Sequence, residues 1–241
     1  MAIGLMVSDT TIALRKLFLV FVASVAVPLD VHALSYSAKS IRATVVDAET
    51  DRPVQGVIVN AYWHLEDRGG HGMGPLNVTE AVTDANGVFF MAGWGPMEVP
   101  RDADEPLRRG RLDPDQPWLQ LFKPGYSFKE VAGNESTSYL NDPFWSGDSV
   151  RASAWDGKDI KIERFRGTDE QYLRHLERSS PAIGGCWWTK TPRMTAAFIR
   201  EGQRLKGVSI WNNLPRLDEI SERYEGQYCG SPKDLLGNLV K

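Results

Sequence analysis

The sequence predicts a mainly β protein, an antiparallel β-sandwich followed by an α-helical C-terminal extension closed by a disulfide. Three observations predict it. Apolar residues alternate with a period of two from Ile41 to Trp63. An Asp84-Ala85-Asn86-Gly87 turn joins two more strand-like runs, and after Gly167 the apolar period changes to between three and four.

In order, Ile41, Ala43 and Val45 alternate with Arg42, Thr44 and Val46 as a first half-buried strand. Asp51-Arg52-Pro53 through Gly56 gives a turn, because proline fixes φ and glycine accepts a positive one. Val57, Val59, Ala61 and Trp63 set apolar groups on one face, with Asn60 and Tyr62 on the other. Residues 64–78, with Gly69, Gly70, His71, Gly72, Met73 and Gly74, read as a flexible hairpin loop whose glycines match no phosphate-binding pattern. Ala81 and Thr83 lead into Asn86-Gly87, a strong hairpin signal, and Val88-Phe89-Phe90-Met91 resumes as strand.

Residues 95–117 form a polar, proline-rich insertion. Its carboxylates Asp102, Asp104, Glu105, Asp113 and Asp115 are interleaved with Arg101, Arg108, Arg109 and Arg111, which argues for a solvated loop over a calcium site. Trp118 to Phe122 reads as a core strand. Residues 127–150, with Tyr139, Phe144 and Trp145, are irregular; Ile160 and Ile162 alternate with Lys161 and Glu163 as a last strand. Sequons stand at Asn77 and Asn134.

Three short amphipathic helices follow. Thr168-x-x-Gln171 is a capping box ahead of Tyr172, Leu173 and Leu176. Thr191-Pro192 opens a second helix, with Met194, Ala197, Phe198 and Leu205 on one face and Gly207 as its stop. Pro215 opens a third, where Leu217, Ile220 and Tyr224 align and Gly226 ends it. Helices this short persist only when their apolar stripe is packed, so they must dock on each other or on the sandwich.

The order Ala43-x-Val45-x-Asp47, Thr50-x-x-Pro53-Val54-x-Gly56-Val57-x-Val59 and Thr83-Asp84-x-x-Gly87-x-Phe89 resembles the carboxypeptidase regulatory-like, or transthyretin-like, β-sandwich family. Leu119-x-Leu121-Phe122 with Lys123-Pro124-Gly125-Tyr126 is similar to that family's penultimate strand and Gly-Tyr turn. The resemblance spans roughly residues 37–165 and implies a fold, since unrelated activities share this sandwich. The zinc carboxypeptidases it accompanies bind metal on a separate α/β domain, which this sequence does not hold. Intradiol dioxygenases use a related sandwich with two tyrosines and two histidines on iron. Here the histidines after residue 33 are His64, His71 and His175.

The chain has 241 residues, 42% of them hydrophobic, enough for one core with an appendage. A net charge of −3 marks no nucleic-acid binder. Residues 1–33 read as a signal peptide: Arg15-Lys16, an apolar run from Leu17 to Leu29, and small residues around Val31-His32-Ala33. That run is shorter than the ~20 residues that span a bilayer, so no permanent membrane span is expected. Translation starts at Met1 or at Met6. The domains expected are thus 1–33 signal peptide, 36–165 sandwich and 166–241 helical extension.

In an oxidising compartment Cys186 and Cys229 pair as one disulfide. The rival reading makes Cys186 a nucleophile served by His175, and a second one puts a metal on His64 and His71. Ser179 and Ser180 lack a nucleophile elbow. Trp187 and Trp188, followed by Lys190, Arg193, Arg200, Arg204 and Lys206, are candidate ligand contacts through stacking, against a role in packing beside the disulfide. No catalytic residue, metal ligand or cofactor is assigned. The expectation is an exported, non-enzymatic binding or structural module with a protein or glycan partner and no nucleic acid. The alternative is a small secreted enzyme using the Cys186/His175 thiol or the His64/His71 metal site.

Overall fold

The computed structural model describes residues 34–67, 69–100, 110–112, 115–133, 150–179, 184–209, 212–224 and 229–241. Residues 1–33, where a signal peptide is expected, the carboxylates Asp102, Asp104, Glu105 and Asp113, the rings Tyr139, Phe144 and Trp145, and the sequon at Asn134 lie outside the described residues.

The strands are β1 (Ser35–Ala38), β2 (Ile41–Asp47), β3 (Ile58–Glu66), β4 (Gly72–Val82), β5 (Val88–Met91) and β6 (Trp94–Glu98). They continue with β7 (Arg111–Leu112), β8 (Trp118–Phe122), β9 (Lys129–Ala132), β10 (Val150–Arg151) and β11 (Asp159–Ile162). One sheet runs β4-β3-β8-β9, with β7 also on β3; the others run β11-β2-β5 and β10-β1-β6. Only Lys39 and Ser40 separate β1 from β2, and only Ala92 and Gly93 separate β5 from β6, so the two three-stranded sheets continue one another. A Cβ on Gly93 would sit 2.7 Å from the Ala38 carbonyl oxygen, which is why this joint needs glycine.

The protein is mainly β, a sandwich with a helical C-terminal extension, and its pairing is mixed. β10 with β1 and β11 with β2 are parallel, so the sandwich is not wholly antiparallel. Two further expectations are corrected. Residues 64–78 are not a loop: β3 and β4 pair as far as Glu66 with Gly72, and Asp67 and His71 close the end of the ladder. The Asp67 carboxylate accepts the amides of Gly69 and His71 at 2.8 and 2.9 Å. The Asn86-Gly87 turn is not a hairpin either, because β4 pairs with β3 whereas β5 pairs with β2. It carries the chain from one sheet to the other. Asp84 holds it by accepting the amides of Asn86 and Val88, each at 2.9 Å.

Between the sheets lies the first core, where Val57, just before β3, and Val59, Ala61 and Trp63 of β3 meet Ala43, Val45, Phe89, Leu119, Leu121, Ile160 and Ile162. At one end Asp47 accepts from the Tyr126 hydroxyl at 2.9 Å and from Arg164 Nε at 3.0 Å, tying the Gly-Tyr turn to β2.

The helices are α1 (Asp169–Ser179), a 3-10 turn (Gly184–Thr189), α2 (Pro192–Arg204), α3 (Leu217–Tyr224) and α4 (Pro232–Leu236). Thr168 and Gln171 form the reciprocal capping box, with amide-to-side-chain distances of 2.9 and 3.2 Å. A second core joins Ile58 and Phe122 of the large sheet to Tyr172, Leu173 and Leu176 of α1 and to Met194, Ala197 and Phe198 of α2. A third joins the 3-10 turn, α2, α3 and α4 through Cys186, Trp188, Ile199, Ile220, Tyr224 and Leu236. The helices therefore dock both on the sandwich and on each other. Residues 34–241 form one compact unit.

Candidate functional site

Cys186 and Cys229 are disulfide-bonded, with Cα atoms 5.7 Å apart. The bond staples the 3-10 turn to the segment just before α4, closing the third core. It also commits the thiol that a Cys186 nucleophile would use. His175 does not serve it: its Nε2 accepts the Phe128 amide at 2.9 Å, and burial holds its pKa below the ordinary imidazole value.

Of the paired tryptophans, Trp188 is 0% exposed and packs within the third core near Tyr224, with ring centroids 6.5 Å apart. It is closed to any ligand, which corrects its place as a candidate contact. Trp187 is half-buried, and its carbonyl accepts from Lys190 and Thr191 ahead of α2.

His64 and His71 serve different structures. His71 stands just before β4 with Nδ1 3.2 Å from Asp67. The backbone amides of His71 and Gly69, with the His71 ring, draw the Asp67 pKa down to about 2, against a smaller opposing effect of burial. His64 lies on β3, its amide held by Gln116 Oε1 at 3.1 Å, and partial desolvation of its ring, despite the residue's exposed edge, lowers its pKa against the Glu130 carboxylate. Among the described residues no group of three or more His, Cys, Asp or Glu side chains is placed to hold a metal ion.

The residues that sequence reading missed lie on the outer face of the large sheet. Cross-strand register lays them in rows. Val82, Ile58 and Phe122 make an apolar row; Glu80, Asn60, Gln120 and Glu130 a polar row; and Val78, Tyr62, Trp118 and Ala132 a third. The helices cover the apolar end, where Phe122 and Phe198 pack with centroids 4.6 Å apart. The N-terminus of α2 reaches the polar row. Glu80 accepts the amides of Arg193 and Met194 at 3.0 and 2.9 Å, and Thr191 bonds the Tyr62 hydroxyl.

Beyond that row, Tyr62, His64 and Trp118 belong to none of the three apolar cores. Tyr62 and Trp118 are half-buried and His64 is exposed. Tyr62 and His64 are stacked, with centroids 6.2 Å apart and planes inclined by 26°. Gln120 Nε2 donates to Glu130 at 2.7 Å, while the buried oxygens of Asn60 and Gln120 have no hydrogen-bond partner among the described residues. Burial raises the Tyr62 pKa; hydrogen bonds from Asn60 and Thr191 oppose this, and the Glu80 and Glu130 carboxylates add to it. The signal for this face was the polar Asn60 and Tyr62 opposite the apolar stripe of β3. What makes it a site is the register with β8 and β9.

A cleft of about 420 Å³ also opens between α2 and residues 206–209 and 212–218. Asn212 in its wall is occupied, donating to the Gly202 carbonyl and accepting the Leu214 amide.

No family model and no curated protein matches the chain. Among solved structures it is similar to a 3-chlorocatechol 1,2-dioxygenase from Rhodococcus opacus 1CP, at 14% identity and TM-score 0.31, covering 57% of this chain and 64% of that one. It is also similar to the major pilin SpaD of Corynebacterium diphtheriae, at 19% identity and TM-score 0.27, covering 56% and 32%. A chlorocatechol 1,2-dioxygenase from Pseudomonas putida gives 15% and 0.28, covering 54% and 60%. The chain spans less than two thirds of each of these proteins, and nothing of their activity is carried over to it.

Proposed function

We propose that the chain is an exported, non-enzymatic binding module with a transthyretin-like, carboxypeptidase regulatory-like sandwich. It recognises a protein or glycan partner through the open end of its large sheet. One observation carries this reading: Tyr62, His64 and Trp118 share a sheet face that the helices leave outside every apolar core. Tyrosine, tryptophan and histidine rings are enriched at recognition surfaces, because they combine apolar area with a directed polar group. Export is supported by the disulfide, which persists in oxidising compartments, and by the leader read over residues 1–33. No helix among the described residues is long and apolar enough to cross a membrane. A non-catalytic role is supported by the occupation of Cys186 and His175 in structural bonds.

The test compares partner capture by the wild-type chain with that by Tyr62→Ala, Trp118→Ala and Trp187→Ala variants of equal stability. Loss of capture in the first two, with Trp187→Ala unaffected, is the expected result. Capture that survives in both sheet variants would remove the recognition surface from this face. Fractionation of expressing cells tests export, which predicts the chain outside the cytoplasm with its leader removed.

A further inference from the structure

We infer that His175 is an acid-sensitive latch: its neutral ring fastens α1 to the turn between β8 and β9, and protonation unfastens that turn and opens the second core at Phe128.

The amides of that turn, from Gly125 to Phe128, are all engaged. Tyr126 donates to the Lys123 carbonyl at 3.0 Å and Ser127 to the Glu163 carbonyl at 2.9 Å. The other two go to α1: Gly125 donates to the Tyr172 hydroxyl oxygen at 3.0 Å and Phe128 to His175 Nε2 at 2.9 Å. Tyr172 and His175 stand at i and i+3 on one helix, so they share a face and hold the turn at two points. A backbone amide only donates, so Nε2 is bare and the ring's proton sits on Nδ1. An imidazolium carries N–H at both nitrogens. Two donors cannot share that contact, and the charged ring must leave it. The Tyr172 point is insensitive to acid, because burial pushes that hydroxyl up to about 12. Protonation therefore opens one point and leaves the other closed.

Phe128 is what the latch holds in place. Its ring packs on Phe122 and Phe198, with centroids 6.5 and 5.9 Å away, in the core that the large sheet shares with α1 and α2. The surroundings of His175 favour its neutral form. Burial lowers its pKa, and the Arg178 charge on the same helix adds to this. Also on α1, Arg174 pairs with Glu170 and Glu177 accepts the Asn213 amide. After β11, the Phe165 ring lies 5.5 Å from the imidazole; Glu163 beside it is exposed, and Arg164 and Arg166 pair with Asp47 and Glu49. On the turn side, Lys123 and Lys129 donate to the carbonyls of Gln55 and Lys161. No carboxylate among the described residues bonds the His175 ring. The unfastened form thus takes up the proton first as pH falls. Between the free imidazole value of about 6.5 and the lower folded one, the ratio of closed to open drops about tenfold per pH unit.

The test follows the full chain by NMR as pH is lowered from neutrality. At neutral pH the His175 ring should carry its proton on Nδ1 with Nε2 bare. On acidification the His175 ring, the Phe128 amide and the Phe198 ring resonances should move together, with a midpoint below about 6.5, while the Gly125 amide stays in place. Exchange protection of Phe128, corrected for its intrinsic rate, should fall about tenfold per pH unit in that window. In His175→Gln the side-chain oxygen accepts an amide at every pH, so Phe128 should stay protected in acid. A proton on Nε2 at neutral pH, a Phe128 amide indifferent to the His175 titration, or a midpoint at or above about 6.5 would overturn the inference. Equal loss of Phe128 protection in His175→Gln would do the same, and Phe198 resonances that stay still would refute the opening of the core. Should the glutamine variant not fold, the proton position and the joint titration in the wild-type chain decide alone.

Discussion

Glu80 on β4 caps α2 from another layer of the fold: its two carboxylate oxygens accept the backbone amides of Arg193 and Met194, at 3.0 and 2.9 Å. Thr191, at the cap position itself, makes no side-chain cap bond. The sandwich thus supplies what the helix's own sequence lacks, and α2 is placed by a strand residue far away in the chain. Removing a cap costs about 1 kcal/mol, within a range of roughly 0.5–2. Glu80→Ala should lower stability by that amount and speed amide exchange at residues 193–195. An unchanged denaturation midpoint would refute the cap.

The crossing between sheets depends on Gly87, whose φ is +72°. A Cβ there would meet the Val45 carbonyl oxygen at 2.6 Å and the Val54 amide nitrogen at 3.0 Å. Gly87→Val is expected to cost on the order of 1–3 kcal/mol through left-handed strain alone, with the backbone clash added to it. Urea denaturation measures it.

Asp47 couples stability to acid. Burial would raise its pKa, but the Tyr126 hydroxyl and the Glu49 and Thr50 donors outweigh burial and hold it below the ordinary value. As pH falls, the unfolded chain therefore takes up the proton first. The contribution of this carboxylate is complete above about pH 4 and is lost as pH drops through the lower folded value. Asp47→Asn should be less stable than wild type at neutral pH and should lose less on going from pH 5 to pH 2, as read by stability curves across that range.

The helical layer and the sandwich share a core, so damage to one should reach the other. Phe198 is fully buried against Phe122 and Phe128, with centroids 4.6 and 5.9 Å away. Phe198→Ala should cost about 3–5 kcal/mol and lower the exchange protection of β3 and β8 together with α2. The disulfide closes a separation of 43 residues, worth roughly 4 kcal/mol in the chain-entropy picture. Reduction should loosen the third core first, around Trp188, Ile220, Tyr224 and Leu236. Through Ile199, next to Phe198 on α2, it should then reach the second core.

Local signals were legible. The Thr168/Gln171 box, the Thr191-Pro192 start and the alternation of β3 each depend on residues a few positions apart, and each forms as read. What the sequence conceals is register. Trp118 and Gln120 sit in a strongly apolar strand, yet they face outward because they pair with Tyr62 and Asn60. Asn86-Gly87 has the composition of a hairpin turn, and nothing local says that its two strands belong to different sheets. Trp187 and Trp188 are identical neighbours, and only the packing of α3 and α4 decides that Trp188 is the one enclosed.

The central claim is that the helices seal one end of the large sheet and leave the other end for recognition. Oxidative footprinting of the full chain with hydroxyl radicals reads this directly, side chain by side chain. The account predicts modification of His64, Tyr62 and Trp118, with Trp188, Phe122 and Phe198 protected. Protection of His64, Tyr62 and Trp118 to the level of Trp188 would mean that the face is covered, and would contradict it.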